Sequence, residues 1–253
     1  MKVSIITVCY NSAANIEHAV NSVLSQDYPG IEYIIIDGKS TDGTLDIIKK
    51  YEDKISKIIS EKDEGMYFAI NKGIQLASGD IIGILNSDDF YVDDQVISKV
   101  VQTFISNNTD AVYADLAYVN KDDIGKISRY WKAGEYKHGL FIKGWMPPHP
   151  AFFVKKKIYA QYGGYNTKLS LSADYELMLR FIHKMKIPLS YLPQVIVKMK
   201  SGGRGNISFS QRLKANREDR LAWKLNGLKS GAFTMFLKPL LKIKQFSCFP
   251  KPA

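Results

Sequence analysis

The chain is poor in cysteine, and its two, Cys9 in an apolar run and Cys248 near the end, build no disulfide framework and have no metal-ligand spacing. That scarcity points to a reducing compartment. No apolar run approaches the roughly 18 residues needed to cross a bilayer. The opening MKVSIITVCYNS carries one lysine and meets polar residues early, so it reads as a first strand rather than a leader. A cytoplasmic location is therefore expected. No GxGxxG follows that strand and no GxxxxGK[ST] occurs, which excludes a dinucleotide fingerprint and a P-loop. Acidic residues are scarce in one place only: residues 198–253 hold two of the 25 Asp and Glu but thirteen of the 35 Lys and Arg. The net charge of +10 is thus a property of the tail. A basic tail suits nucleic acid or anionic lipid, and the lack of zinc, RNP or repeat patterns argues against nucleic acid.

What is present is an alternation of strands and helices. VSIITVCY (3–10) is a continuous β-branched run of the kind buried on both faces. NSAANIEHAVNSVLSQ follows with Asn11 or Ser12 as a cap and Ile16, Ala19, Val20, Val23 and Leu24 at helical spacing. EYIIIDG (32–38), KISKIISE (54–61) and DIIGILNS read as further strands, separated by helices in STDGTLDIIKKY and GMYFAINKGIQLASG. The alternation specifies an α/β domain with a largely parallel sheet.

Ligands of such sheets sit outside the carboxyl ends of the strands. That rule collects Thr7, Tyr10 and Asn11, then Asp37, then Glu61 and Asp63, then Asn86, Ser87, Asp88 and Asp89. A divalent cation held by one or two carboxylates completes its shell with water and phosphate, a role that fits Asp88 with Asn86 or Asp89 assisting. It would neutralise charge on a diphosphate. Adjacent acids repel unless a cation, hydrogen bonds or solvent relieves them; the competing reading of this turn is a solvated cap for a following helix. Asp37 reads either as an acceptor for a base N–H or as a turn residue before Gly38. Tyr10 reads either as a stacking ring or as a core aromatic.

Residues 2–95, with PPHPAFF and GGYNTKLSLSADYELMLR beyond, resemble the inverting glycosyltransferase family 2. The resemblance implies a GT-A (Rossmann-like) nucleotide-sugar-binding domain at 1–200. Residues 1–95 would form its nucleotide half, 96–200 its acceptor half, and 201–253 a flexible loop and basic amphipathic helical tail. It further implies that Thr7, Tyr10 and Asp37 hold the base, usually uracil, and that Asp63 and Lys72 approach the nucleotide or donor sugar. NSD at 86–88 matches the family's DxD element, whose last acid, here Asp88, ligates Mn2+ or Mg2+. Asn86 departs from that pattern, where an Asp is usual. The expected partners are a nucleotide-sugar donor, UDP-linked, and a glycan or lipid-linked acceptor of surface polysaccharide synthesis.

An inverting transfer needs a base on the face opposite the leaving group, and one carboxylate suffices. Asp174, opening a helix in LSADYELMLRFIHK, matches the family's general base; a dipole-favoured helix start is the plainer reading, and Glu176 is the alternative acid. His149 is a candidate for metal, phosphate or acceptor, or a structural histidine. Trp131, Trp145 and Tyr165 are sugar-stacking rings or core aromatics, and Arg204 in GGRGNIS is a diphosphate counter-charge on a lid or sits in a plain connector. GAFTMFLKPLLKIKQF (231–246) places Phe233, Phe236, Leu237, Leu240 and Leu241 on one helical stripe. It is expected to touch the inner face of the membrane peripherally, or to pack on the domain or on a second copy in a homodimer. The rival readings are a sugar-phosphate nucleotidylyltransferase, whose glycine-rich loop is missing after strand one, and a sugar-nucleotide or membrane-binding module without catalysis.

Overall fold

A computed structural model describes residues 1–201, 209–231, 234 and 245 of the chain. It begins β1 (Val3–Cys9), α1 (Ile16–Leu24), β2 (Ile31–Asp37), α2 (Thr44–Lys49), β3 (Lys57–Ser60), α3 (Met66–Leu76) and β4 (Ile81–Ile84). There follow β5 (Asp89–Tyr91), α4 (Val96–Ser106), β6 (Ala111–Asn120), β7 (Ile127–Trp131), β8 (Phe152–Lys155), α5 (Lys156–Tyr162), α6 (Ala173–Met178), β9 (Leu189–Ser201) and α7 (Phe209–Leu225). One sheet runs β3-β2-β1-β4-β8-β6-β9-β5, with β7 on β6. The first four strands are parallel, as the alternation predicts. Beyond β4 antiparallel pairings enter, and only β6 with β9 is parallel.

Every residue of β1 is buried, because the sheet is covered on both faces. Ile6 and Val8 join Ile34, Ile36, Ile70 and Ile82 under α3, while Val3, Ile5 and Cys9 join Ile16, Val20, Ile35 and Val100 under α1 and α4. Gly73 lets α3 lie directly on β1: a Cβ there would stand 2.4 Å from Ile6 Cγ2. In register, Cys9 faces Asp37 and Asp37 faces Ser60, so the first three strands end together at one edge.

Two local expectations are corrected. Neither Asn11 nor Ser12 caps α1 with its side chain; the N-cap is Asn15, without a side-chain bond. Asn11 is left-handed (φ 47), its Oδ1 accepts from Thr41 N at 2.9 Å, and Ser12 N donates to Thr44 Oγ1 at 2.8 Å. These polar groups tie two loops together instead. The turn at 87–88 does not open a helix either: the chain enters β5, and α4 starts only at Val96. α7 is docked, with Trp223 buried to 2% exposure and donating to Tyr175 Oη at 2.8 Å.

Candidate functional site

The edge where the parallel strands end carries two groups of polar side chains. The first surrounds the ends of β1 and β2. Tyr10 is exposed (53%) and so is not a core aromatic. Gly38 is wedged between it and Asp63: a Cβ there would lie 2.9 Å from Asp63 Oδ2 and 3.3 Å from Tyr10 Cδ2. An aromatic ring and a carboxylate thus stand on either side of a bare stretch of backbone. Asp63 Oδ1 accepts from Gly65 N at 2.8 Å, which fixes the entry to α3. Lys72 on α3 pairs with Glu61.

Asp37 is wholly buried. Its Oδ2 accepts from Ser40 N at 3.0 Å and Ser60 Oγ at 2.6 Å, and its Oδ1 from Ser40 Oγ and, at 3.5 Å, Cys9 Sγ. Its carboxylate thus orders the turn after β2 as the turn reading describes. Burial, followed by the charge of Asp37, pushes the Cys9 thiol far up, so it stays protonated. Thr7 is corrected: it does not open to the edge but is wholly buried, accepting from Tyr33 Oη at 3.1 Å. The strand alternation turns it into the α1 side of the core.

The second group follows β4. Ser87 Oγ lies 2.9 Å from Ser12 Oγ, tying this turn to the end of β1. Asn86 Nδ2 donates to Asp89 Oδ2 at 2.8 Å and lies 3.4 Å from His149 Nε2. His149 Nδ1 is 3.5 Å from Asp174 Oδ2, and Tyr67 Oη donates to Asp174 Oδ1 at 3.3 Å. With the Asn86 amide as donor, His149 Nε2 accepts and the ring proton falls on Nδ1, facing Asp174. A continuous chain of side chains therefore joins the turn after β4 to Asp174 at the start of α6. Glu176 is excluded as the alternative base. It is buried, forked by Arg180 through two bonds of 2.9 Å and held by Asn226 Nδ2 at 3.0 Å.

The acids at 88 and 89 part company. Asp89 is wholly buried. Burial first, and the neighbouring Asp88 charge second, push its carboxyl well above the usual range despite the Asn86 bond. Its Oδ1 has no hydrogen-bond partner. Its enclosure separates it from the half-buried Asp88, whereas the pairing of the two expects both carboxylates at the open edge. Asp88 is half-buried and has no hydrogen-bond partner among the described residues. No cluster of three His, Cys, Asp or Glu able to hold a metal occurs among them. A hard cation that takes one carboxylate and fills its shell with water and phosphate needs none, so Asp88 fits Mn2+ or Mg2+; the Asn86 amide nitrogen is spent on Asp89 and His149, which leaves its carbonyl oxygen as a neutral, weaker ligand.

Lys200 was not foreseen. Asp89 faces Met199 in the antiparallel β5–β9 pair, and the same register carried one residue back sets Lys200 beside Asp88. Its Nζ donates to Asn15 Oδ1 at 2.9 Å. Burial pulls its pKa down, and Asp88 opposes that pull. The site thus sets Asp88, without a hydrogen-bond partner among the described residues, beside a lysine near the ends of β1 and β4.

Of the rings read as sugar-stacking or core aromatics, Tyr165 is buried in the core and Trp145 is partly buried against it. Tyr165 stacks on Tyr67 with centroids 5.5 Å apart, and Trp145 Nε1 donates to Ala133 O at 2.7 Å. Trp131 is half-buried at the end of β7, packed against the α1–α4 side of the core. Arg204 lies outside the described residues, as does most of 231–246. Of that stretch Thr234 Oγ1 donates to Ile142 O at 2.6 Å and Gln245 Oε1 accepts from Arg129 Nε at 2.7 Å, both contacts with the domain.

The sequence model described as "Glycosyl transferase family 2" matches residues 4–163. An uncharacterized glycosyltransferase of Mycobacterium tuberculosis is 31% identical over 180 residues, 70% of this chain and 68% of that protein. TuaG of Bacillus subtilis, named as a teichuronic acid biosynthesis glycosyltransferase, is 41% identical over 97 residues, 37% of this chain and 38% of its own. Among solved structures, residues 1–349 of Staphylococcus aureus TarS in complex with UDP-GlcNAc superpose with a TM-score of 0.68 at 18% identity. That superposition covers 94% of this chain and 69% of the TarS chain.

Proposed function

The chain belongs to glycosyl transferase family 2, and from that premise we propose that it is an inverting enzyme. It moves a sugar from a UDP-linked donor to a hydroxyl of a glycan or lipid-linked acceptor in surface polysaccharide synthesis. The single observation that carries the reading is the side-chain chain from Asn86 through His149 to Asp174, which links a carboxylate at the start of α6 to the turn that bears Asp88. The TarS complex with UDP-GlcNAc and the TuaG name support a UDP-sugar and a surface glycan.

Tyr10 covers the base from one side, with Gly38 leaving room beneath it and Asp63 beside it. Asp37 acts indirectly, by holding the turn that carries Gly38 and Ser40. A Mn2+ or Mg2+ ion held through Asp88 would, when bound, supply positive charge to the diphosphate. Lys200 adds charge of the same sign from β9. Asp174 takes the proton of the acceptor hydroxyl as its oxygen bonds to the anomeric carbon. On the opposite face the bond to the diphosphate breaks and its electron pair leaves with phosphate, so the anomeric centre inverts. Tyr67 and His149 hold the two oxygens of Asp174 in place, which keeps one lone pair aimed at the acceptor.

Thermal shift with a panel of nucleotide sugars and Mn2+, followed by transfer assays, tests this. UDP-sugars raise the unfolding temperature of the wild type and of Asp174→Asn, while transfer by Asp174→Asn falls by about 10²–10⁴-fold. Asp88→Ala loses the Mn2+-dependent part of the shift. Unimpaired transfer by Asp174→Asn at saturating donor overturns the base assignment. Full transfer by Asp88→Ala overturns the metal role.

A further inference from the structure

α7 has two unlike faces. Inward, Glu218 Oε2 accepts from Leu171 N at 2.7 Å and Ser172 N at 3.0 Å, while Oε1 accepts from Ser170 Oγ at 2.9 Å. Trp223 bonds Tyr175 and Asn226 bonds Glu176. The helix is thereby fastened to the turn and helix that carry Asp174. Outward, it shows Arg212, Lys214, Arg217, Arg220 and Lys224, all exposed. None of the five forms an ion pair among the described residues. Its acids, Glu218 and Asp219, are both buried on the inner face, so the exposed charge of the helix is all positive. Between the cations stand Leu213, Leu221 and Leu225, exposed by 44%, 41% and 46%.

We propose that the outer face of α7 is a docking surface for an anionic phospholipid bilayer. Cations without an ion pair among the described residues are complementary to a negatively charged headgroup layer. Leucines at the same level can enter the headgroup–acyl boundary while arginine and lysine stems extend to the phosphates. Nucleic acid would use the charge but gives exposed leucines no role, so a bilayer accounts for both features. Because the inner face holds the base turn, docking also orients Asp174 relative to the surface where a lipid-linked acceptor lies. That last clause rests on the transferase reading; the binding itself does not.

Co-sedimentation of the whole chain tests it, with vesicles of equal parts phosphatidylglycerol and phosphatidylcholine against phosphatidylcholine alone. The wild type binds the anionic vesicles and not the neutral ones, and binding falls with added salt. Arg217→Gln with Lys224→Gln breaks no bond of the fold and lowers the partition coefficient by about 25-fold, roughly fivefold for each cation. Leu221→Ser with Leu225→Ser lowers it further at unchanged thermal unfolding. Wild-type binding by both variants, equal binding to neutral vesicles, or stronger retention by a DNA oligonucleotide than by the anionic vesicles each overturns the proposal. No donor or acceptor is present, so these outcomes leave the transferase reading to its own assays.

Discussion

Glu218 joins stability to catalysis in one side chain, and replacing it separates the two. The residue is 8% exposed. Burial alone would raise its carboxyl pKa, but the bonds from Leu171 N, Ser170 and Ser172 outweigh it and hold the value below the ordinary one. Hydrogen bonds to a charged acceptor contribute about 1.5–3 kcal/mol each, and an orphaned buried N–H costs about 1–3 kcal/mol. Glu218→Ala strands two backbone donors, one at buried Ser172, so about 3–5 kcal/mol of stability is lost. Glu218→Gln keeps one oxygen for both N–H groups and lets Ser170 Oγ turn to meet the new amide, for a loss of about 1 kcal/mol. Urea unfolding at neutral pH reads the difference, and it narrows on acidification. A folded pKa below the unfolded one gives stability that is present above the unfolded value and lost as pH falls through the folded one. Ser172 is also the N-cap of α6, two residues before Asp174. Loosening that turn displaces Asp174, the proposed base, and a shift of about 1 Å costs about 10²-fold in rate. The folded fraction of Glu218→Ala should therefore lose kcat at unchanged donor affinity. An alanine variant with the wild-type urea midpoint, or one that loses donor binding while kcat holds, refutes the reasoning.

Two further outcomes follow from the nucleotide half. Glu32 is 4% exposed. Burial works to raise its pKa, yet bonds from Ser4 and Ser78 and the charge of Lys2 bring it from 4.5 to about 2. It therefore supplies about 3 kcal/mol at neutral pH that drains away between about pH 4.5 and pH 2; Glu32→Gln should lose that margin at pH 7 and little of it near pH 2, measured by urea unfolding. Gly38→Ala sets a methyl 2.9 Å from Asp63 Oδ2 and 3.3 Å from Tyr10 Cδ2, so calorimetry should show UDP affinity down by about tenfold, for a steric cost of about 1.4 kcal/mol.

Where the sequence spoke clearly, a single residue or run answered to one physical demand. VSIITVC had to be buried on both faces, and it is. The carboxyl-end rule placed Tyr10, Asp63, Asn86 and Asp88 on one edge because parallel strands share a direction. It misjudged Thr7, since lying near a strand end does not say which face a side chain takes. It misjudged Asp89 because two adjacent acids look alike in a sequence, although β5 draws one into the core. Lys200 was hidden by counting: a charge boundary at residue 198 cut through β9 and assigned two of its lysines to a tail. The inner face of α7 was equally illegible, because its two acids and Trp223 are spread thinly among exposed basic residues. Only a partner surface, the turn before Asp174, gives them a common purpose.

Asn86 is the residue that makes sense only in three dimensions. An Asp in its place would put another carboxylate beside Asp88 and against the buried Asp89, which Asn86 now holds through Nδ2. The amide removes that repulsion and supplies two N–H groups, of which one is spent on Asp89 and the other is directed at His149. A carboxylate has no hydrogen to give, so it would leave His149 Nε2 to carry the proton and turn Nδ1 into an acceptor facing the Asp174 carboxylate. In a neutral ring two lone pairs would then oppose each other at 3.5 Å, and only a second ring proton would let both nitrogens donate. The departure from the usual acid thus carries its own logic. On the proposed reading it gives up one charged metal ligand, which a cation coordinated by water and phosphate can spare, and in exchange holds the histidine that faces Asp174.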